Sequence, residues 1–282
     1  MKQMIPVFIA FALSFAVGFI AMAVVRKYRK KGLKRTAYVL LSLALSFILC
    51  FGVTAVYLNI HYSAEEVAVQ VFADSSAPTV TEIDGGWLFD GAGEDTALVF
   101  YPGAKVDSEA YAPLMQKIAR GGVDCFLLKL PARMAVLDMN AADRVISHYD
   151  YDHWILSGHS MGGVAAASFT AGHSDAVDGL VLLASYPTKP IDNSVCMFSV
   201  YGSNDGVLDQ SAYENAKQYW PRHSGEMVID GGNHAQFGNY GKQRGDNDAT
   251  VSAEEQQQKT AQAVRLCADA VRSEDDSLAI AE

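Results

Sequence analysis

The first 62 residues contain no aspartate and no glutamate, although the whole chain of 282 carries 32 of them. Those residues do hold Lys2, Arg26, Lys27, Arg29, Lys30, Lys31, Lys34 and Arg35, so beyond residue 62 only 14 basic residues face all 32 acidic ones. Such a surface lacks the basic footprint that nucleic-acid binding needs, so nucleic acid is excluded as a partner and a solvated acidic exterior is expected. Cysteine is scarce as well. Cys50, Cys125, Cys196 and Cys267 form no Cys-x-x-Cys pair and no zinc-type Cys/His spacing. This excludes a disulfide framework and a structural metal. Cys125 and Cys196 fall in apolar runs and read as small buried hydrophobes. No cofactor is expected, and no internal repeat or low-complexity tract is present.

Charge is also missing from two long runs, 22 residues from 4 to 25 and 24 residues from 37 to 60. Roughly 20 apolar residues cross a bilayer core, so both qualify as spans. Tyr57, His61 and Tyr62 would then sit at the interface, where amphipathic rings collect. Ala21-Met22-Ala23 resembles a signal-peptide cleavage site. Cleavage there would leave seven basic residues between 26 and 35 outside, against the positive-inside rule. The reading is therefore an uncleaved two-span anchor in the cell membrane over residues 1–62. The N-terminus and everything beyond the anchor then lie outside the cytoplasm.

Residues 63–78 form a connector. Val67, Val69 and Val71 alternate as in a strand, whereas Ala64-Glu65-Glu66 begins like a helix, and both readings stay open. Residues 79–90 read as a hairpin turning at Asp84-Gly85. Strands follow at 97–101, 123–130, 153–156, 179–184, 195–201 and 227–230. Helices are expected at 108–120, 139–149, from the serine motif to about Ala171, at 210–219 and at 252–272, with 273–282 as an acidic tail. Strands alternating with helices predict an α/β domain over residues 79–272, its mostly parallel sheet covered on both faces.

The densest signal is Gly158-His159-Ser160-Met161-Gly162-Gly163, a Gly-x-Ser-x-Gly pattern between a short apolar run and a small-residue helix. A serine hydroxyl is a poor nucleophile unless exposed beside a base. A sharp strand-to-helix turn exposes it, and flanking glycines remove the Cβ clashes such a turn would cause. Alone the pattern is weak, so partners are required. Gly202-Ser203-Asn204-Asp205-Gly206 follows one expected strand, and Gly231-Gly232-Asn233-His234 follows another. Ser160, Asp205 and His234 would thus leave one carboxyl edge of a parallel sheet, where ligands bind in open α/β folds.

With these segments, and with Phe100-Tyr101-Pro102-Gly103-Ala104-Lys105-Val106, residues from about 79 to 272 resemble a small single-domain α/β-hydrolase. The chain is similar to bacterial serine hydrolases near the dienelactone hydrolases, and departs from those by carrying serine rather than cysteine as nucleophile. The resemblance implies the order Ser, Asp, His, with Ser160 attacking, His234 as base and Asp205 orienting the imidazole. It implies an oxyanion hole from the backbone N–H groups of Met161 and Ala104, with Lys105 as the alternative to Ala104. The activity implied is hydrolysis of an ester or related acyl substrate, a small molecule or lipid-like. A thioesterase, amidase or transacylase would use the same triad. A non-catalytic binding module of the same fold is the alternative from another class. A structural role centred on the membrane anchor leaves the ordered Ser, Asp and His unexplained.

Other residues have plainer readings. Asp209 is the rival acid but reads as a helix N-cap, and Asp230 is a weaker rival. His159 is expected to turn away from the nucleophile into packing or a polar network. His148, His153, His173 and His223 read as surface or element-terminal positions. The glycine-rich loop 238–248 is expected to shape the site rather than bind a metal through Asp246 and Asp248. Residues 185–194 leave no room for a helical lid, which suggests an open, shallow site.

Overall fold

The structure, a computed structural model, describes residues 5–28, 34–74, 78–93 and 95–279. The chain divides between Ile60 and His61 into two compact units.

The first unit is a pair of helices, α1 (Ile5–Tyr28) and α2 (Arg35–Asn59). They run antiparallel, with Phe15 edge-on to Phe47 at 5.9 Å and the Ser46 hydroxyl 3.4 Å from the Phe15 carbonyl. Gly18 permits this approach, since a Cβ there would lie 2.2 Å from Ser46 Oγ. Leu40, Phe47, Ile48 and Phe51 remain exposed, Phe51 by 78%. Leaving a large apolar side chain in water forgoes about 1.5–3 kcal/mol, a cost that a bilayer removes. Among the described residues one helix, Arg35–Tyr57, is long and apolar enough to cross a membrane. Of the other expected span, Met4 and the side chains of residues 5–11 lie outside the described residues, as do Arg29, Lys30 and Lys31 of the basic loop.

The second unit is built on an eight-stranded sheet in the order β1-β2-β4-β3-β5-β6-β7-β8. The strands are β1 (Thr79–Ile83), β2 (Gly86–Asp90), β3 (Thr96–Tyr101), β4 (Asp124–Leu128), β5 (His153–His159), β6 (Gly179–Leu183), β7 (Cys196–Gly202) and β8 (Ser224–Ile229). The β1–β2 hairpin turns at Asp84-Gly85 and joins β4 antiparallel, and the pairings from β4 through β8 are parallel. Every residue of β3, β4, β5 and β6 is buried, as strands covered on both faces require. Helices α4 (Ala112–Arg120) and α8 (Ala253–Ala279) cover one face, and α6 (Met161–Thr170) lies over the other.

Parallel pairing gathers the carboxyl ends of the strands along one edge, and backbone strain gathers there too. Among the described residues the non-glycine positions with positive φ are Lys105, Ala132, Arg133, Ser160 and Ala184. They follow the carboxyl ends of β3, β4, β5 and β6. Strained residues of this kind concentrate where function constrains the backbone.

Within the connector, residues 66–73 are helical and residues 75–77 lie outside the described residues. α3 spans Glu66–Gln70 and a 3₁₀ turn follows at Val71–Ala73, with Ala68 and Val71 buried while Val67 and Val69 face solvent. The valine alternation therefore records no strand pleat. α5 (Ala141–Ile146) is shorter than the expected 139–149. α8 continues to Ala279, through the stretch read as an acidic tail, because no glycine or proline after Arg272 stops it. Residues 280–282 of that tail lie outside the described residues.

One contact in this framework is unusually intolerant. A Cβ at Gly162 would sit 2.2 Å from the Tyr101 carbonyl oxygen and 2.4 Å from that of Pro102, both backbone atoms. Gly162→Ala should therefore push α6 off β3 and cost roughly 1–3 kcal/mol, as overpacking does. A thermal unfolding midpoint equal to wild type would contradict this packing account.

Candidate active site

Ser160 stands at the junction of β5 and α6 with φ 53 and ψ −123, outside the regions open to L-residues at little cost. Its N–H donates to the Leu183 carbonyl at 2.9 Å, and its carbonyl accepts from Val164 N–H at 3.2 Å and from the Ser185 hydroxyl at 2.8 Å. Glycine is required around it, because a Cβ on Gly158 would meet the Gly162 backbone at 2.6 Å.

Asp205 follows β7 and His234 follows β8. The two loops come together because both carry glycine, and a Cβ on Gly202 would lie 2.2 Å from Gly232 C. Asn204 N–H donates to the Gly232 carbonyl at 2.8 Å and closes that contact. The Asp205 carboxylate is fully buried and the His234 side chain is 1% exposed. Asp205 Oδ1 accepts from Val207 N–H at 2.8 Å and Leu208 N–H at 2.7 Å, while Oδ2 lies 2.8 Å from His234 Nδ1. A carboxylate can only accept, so Nδ1 carries the proton and Nε2 presents its lone pair. That Nε2 is buried and has no hydrogen-bond partner among the described residues. The structure thus joins Asp205 to His234 and forms no hydrogen bond from Ser160 to Nε2. Such bonds are often long before substrate binds.

The rival acid is occupied elsewhere, since Asp209 caps α7 (Gln210–Ala216) by accepting from Ala212 N–H at 3.0 Å. Of the candidate oxyanion donors, Lys105 N–H is committed to the Arg133 carbonyl at 2.8 Å. The N–H groups of Met161 and Ala104 donate to no group among the described residues.

Two residues to which the sequence reading gave no specific role shape this edge, Asp246 within the loop expected to shape the site and Gln256 of α8. Asp246 accepts through Oδ1 from Gly206 N–H at 3.0 Å, His234 N–H at 3.3 Å and Asn247 N–H at 3.0 Å, and through Oδ2 from Ala235 N–H at 2.9 Å. One carboxylate therefore clamps the loop of the acid to the loop of the histidine. Donors on every side suit an anion and not a cation, and Asp248 pairs with Lys242. Among the described residues no group of three metal-binding side chains could hold an ion. Gln256 of α8 exchanges two hydrogen bonds with the backbone of Asn233, at 3.0 and 2.8 Å, and fixes the histidine loop from below. The polar character of the 238–248 loop was visible in the sequence. Which of its carboxylates reached the loops of Asp205 and His234 was not.

His159 is buried in a polar network, with its ring 4.5 Å from that of His234. Gly103 N–H donates to the Tyr111 hydroxyl at 3.1 Å, and that hydroxyl is hydrogen-bonded to His159 Nδ1 at 2.8 Å. Burial pushes the Tyr111 phenol up, beyond any working pH. Burial first, and then the neighbouring His234, push the His159 imidazole well below its ordinary value, against a backbone contact to His234 that acts the other way. The network is therefore neutral, and it places no cation beside His234.

A buried neutral histidine gains its proton only on unfolding, so the unfolded chain binds more protons below the ordinary value near about 6.5. The stability that neutral His159 contributes is thus present above that pH and lost as pH falls through it, by up to about 1.4 kcal/mol per pH unit. His159→Asn should flatten the decline in unfolding midpoint between about pH 6.5 and pH 5. An unchanged slope would show that His159 is not held neutral.

The comparisons with known proteins agree with this geometry at the level of fold. No curated protein sequence matches the chain. A putative hydrolase from Agrobacterium vitis S4 superposes with a TM-score of 0.51 at 14% identity, over 69% of this chain and 98% of that one. A membrane phospholipase A described as a bacterial virulence factor gives 0.50 at 13% identity, over 82% and 98%. A dienelactone hydrolase from Anabaena variabilis gives 0.47 at 14% identity, over 63% and 89%. The model of the "Alpha/beta hydrolase family" matches residues 97–258, more than half of the chain and the whole stretch from β3 past His234. On that match, and on a sheet that carries Ser160, Asp205 and His234 along one edge, this chain belongs to the alpha/beta hydrolase family.

Proposed function

We propose that the protein is a membrane-anchored serine hydrolase that cleaves an ester or related acyl substrate through Ser160, His234 and Asp205. The observation that carries this reading is the buried Asp205–His234 pair, its Nε2 unpartnered, on the sheet edge that also carries the strained Ser160. Ser160 Oγ attacks the substrate carbonyl carbon and gives its proton to His234 Nε2. Asp205 stabilises the imidazolium and holds its orientation. The carbonyl oxygen becomes an oxyanion and accepts from the N–H groups of Met161 and Ala104, each such donor worth about 10²–10³ in kcat. Collapse of the intermediate breaks the bond to the leaving group, which takes the proton from Nε2. Water, deprotonated by the same nitrogen, then releases the acyl group from Ser160.

The anchor in this proposal is two spans, α1 and α2, with the basic segment 26–35 inside and the hydrolase unit outside the cytoplasm. A lipid-like acyl substrate suits that placement. Ester, thioester and amide substrates share the triad, and only turnover on each linkage separates them.

A fluorophosphonate probe should label the full-length protein and not Ser160→Ala. Asp205→Asn should lower kcat by about 10⁴-fold, as loss of the orienting carboxylate does in serine triads, while Asp209→Asn should cost little. Undiminished labelling of a folded Ser160→Ala protein, or reversed effects of the two aspartates, would overturn the assignment.

The orientation has its own test. A reporter enzyme active only outside the membrane, fused after Glu282, should be active. Silence from that fusion, with activity from a cytoplasm-only reporter at the same place, would reverse the topology.

A further inference from the structure

We infer that residues 61–65, directly after the apolar helix α2, brace the active site and set the position of the loop that presents Ala104. The inference rests on the triad and oxyanion roles proposed above.

On one side this segment grips the loop after β3. Tyr62 N–H donates to the Lys105 carbonyl at 2.7 Å, and Asp107 N–H donates to the Tyr62 carbonyl at 3.0 Å. The pair forms an isolated parallel bridge between Tyr62 and Val106. Ala64 N–H donates to Asp107 Oδ2 at 3.3 Å, and His61 Nε2 lies 3.5 Å from Asp107 Oδ1. On the other side the same residues grip the loop after His234. The Tyr62 hydroxyl accepts from Arg244 N–H at 3.1 Å, its ring packs on Tyr240 at 5.7 Å, and Glu65 N–H donates to the Asn239 carbonyl at 2.8 Å. Five consecutive residues thus tie the oxyanion loop to the histidine loop.

The tie matters because of the backbone it holds. Lys105 has φ 62, and a non-glycine residue keeps that conformation only where its surroundings over-determine it. Its N–H is held by the Arg133 carbonyl and its carbonyl by Tyr62 N–H. Without the second bond Lys105 can rotate toward an ordinary φ, which reorients the Ala104–Lys105 peptide and moves Ala104 relative to Ser160. An oxyanion donor acts in the transition state, so the loss falls on kcat and leaves KM. α2 ends at Asn59 with Ile60 as its C-cap, so the brace begins at the first residue beyond the cap. The segment that leaves the apolar helix is therefore part of the catalytic scaffold rather than a passive tether.

The test uses the full-length protein in detergent with p-nitrophenyl butyrate as substrate. Tyr62→Pro removes the N–H that holds Lys105, together with the ring and hydroxyl. It should lower kcat by about 10–100-fold, the scale of a misplaced catalytic group, with KM within about twofold. Amide hydrogen exchange should accelerate at residues 105–107 and stay at wild-type rates in α6. Val67→Ser, an exposed position on α3, should keep wild-type values. A folded Tyr62→Pro protein with wild-type kcat overturns the inference. Should that variant not fold, Asp107→Ala removes the carboxylate that meets Ala64, His61 and Arg133, and a wild-type kcat there overturns the inference equally. A wild-type protein that neither hydrolyses the ester nor is labelled by the fluorophosphonate at Ser160 would instead defeat the triad reading. Hydrogen exchange at 105–107 in Tyr62→Pro would still report on the brace, and unchanged exchange would overturn it.

Discussion

The turn at Ser160 is the constraint on which the rest of the site depends. A residue in such a conformation costs on the order of 1–3 kcal/mol, and the fold offsets this with the bonds to Leu183, Val164 and Ser185. The turn closes only because Gly158, Gly162 and Gly163 let helix and strand backbones approach to distances no Cβ would allow. Three consequences follow from that one approach. The serine hydroxyl is lifted to the sheet edge. The N–H of Met161, at the first position of α6, is left without an intrahelical partner, as every helix start leaves its first amides. The ring of His159 is turned inward, where Tyr111 and Gly103 hold it against His234.

The other half of the edge is assembled by polar bonds rather than apolar packing. The Asp205 and His234 loops lie against each other through glycine and are locked by Asp246, Gln256 and the backbone bond from Asn204 to Gly232. A buried polar network of this kind rigidifies when its members are satisfied. The loops can therefore be irregular and still hold Asp205 Oδ2 at 2.8 Å from His234 Nδ1. The apolar core beneath supplies the platform, with β3 to β6 buried throughout. Neutral His159 and Tyr111 keep further charge away from the imidazole that the proposed mechanism protonates.

Much of this architecture was legible in the chain itself. Buried parallel strands are continuous apolar runs, so β3, β4 and β6 stand out, and Asp84-Gly85 marks the hairpin. Residues 66–73 were not legible. Their valines alternate, but the contacts of Ala68 and Val71 with the core decide for a helix. At the site, Asp205 and His234 were visible because each follows an apolar strand with glycine close behind it, Gly202 at the end of β7 and Gly231-Gly232 just past β8. Asp246 was not, since Asp248 shares its loop and nothing local distinguishes one carboxylate from the other. Tyr62 was read as an interfacial ring, and its place against Lys105 and Arg244 depends on partners 43 and 182 residues away for its segment.

The sequence by itself determined most of the strands and helices, residues 66–73 excepted, where the sharp serine turn falls, and where the long apolar runs lie. Those properties are local, because glycine spacing, hydrophobic period and run length act within a few residues. Only the tertiary structure decided that Lys105 N–H is occupied while Ala104 N–H donates to no group among the described residues, that Asp246 clamps the Asp205 and His234 loops together, and that residues 61–65 bond to the loops after β3 and after His234. Each of those outcomes turns on a hydrogen bond of about 3 Å between chain segments far apart in sequence. Whether such a bond forms depends on how the sheet stacks its edges, which no local pattern encodes.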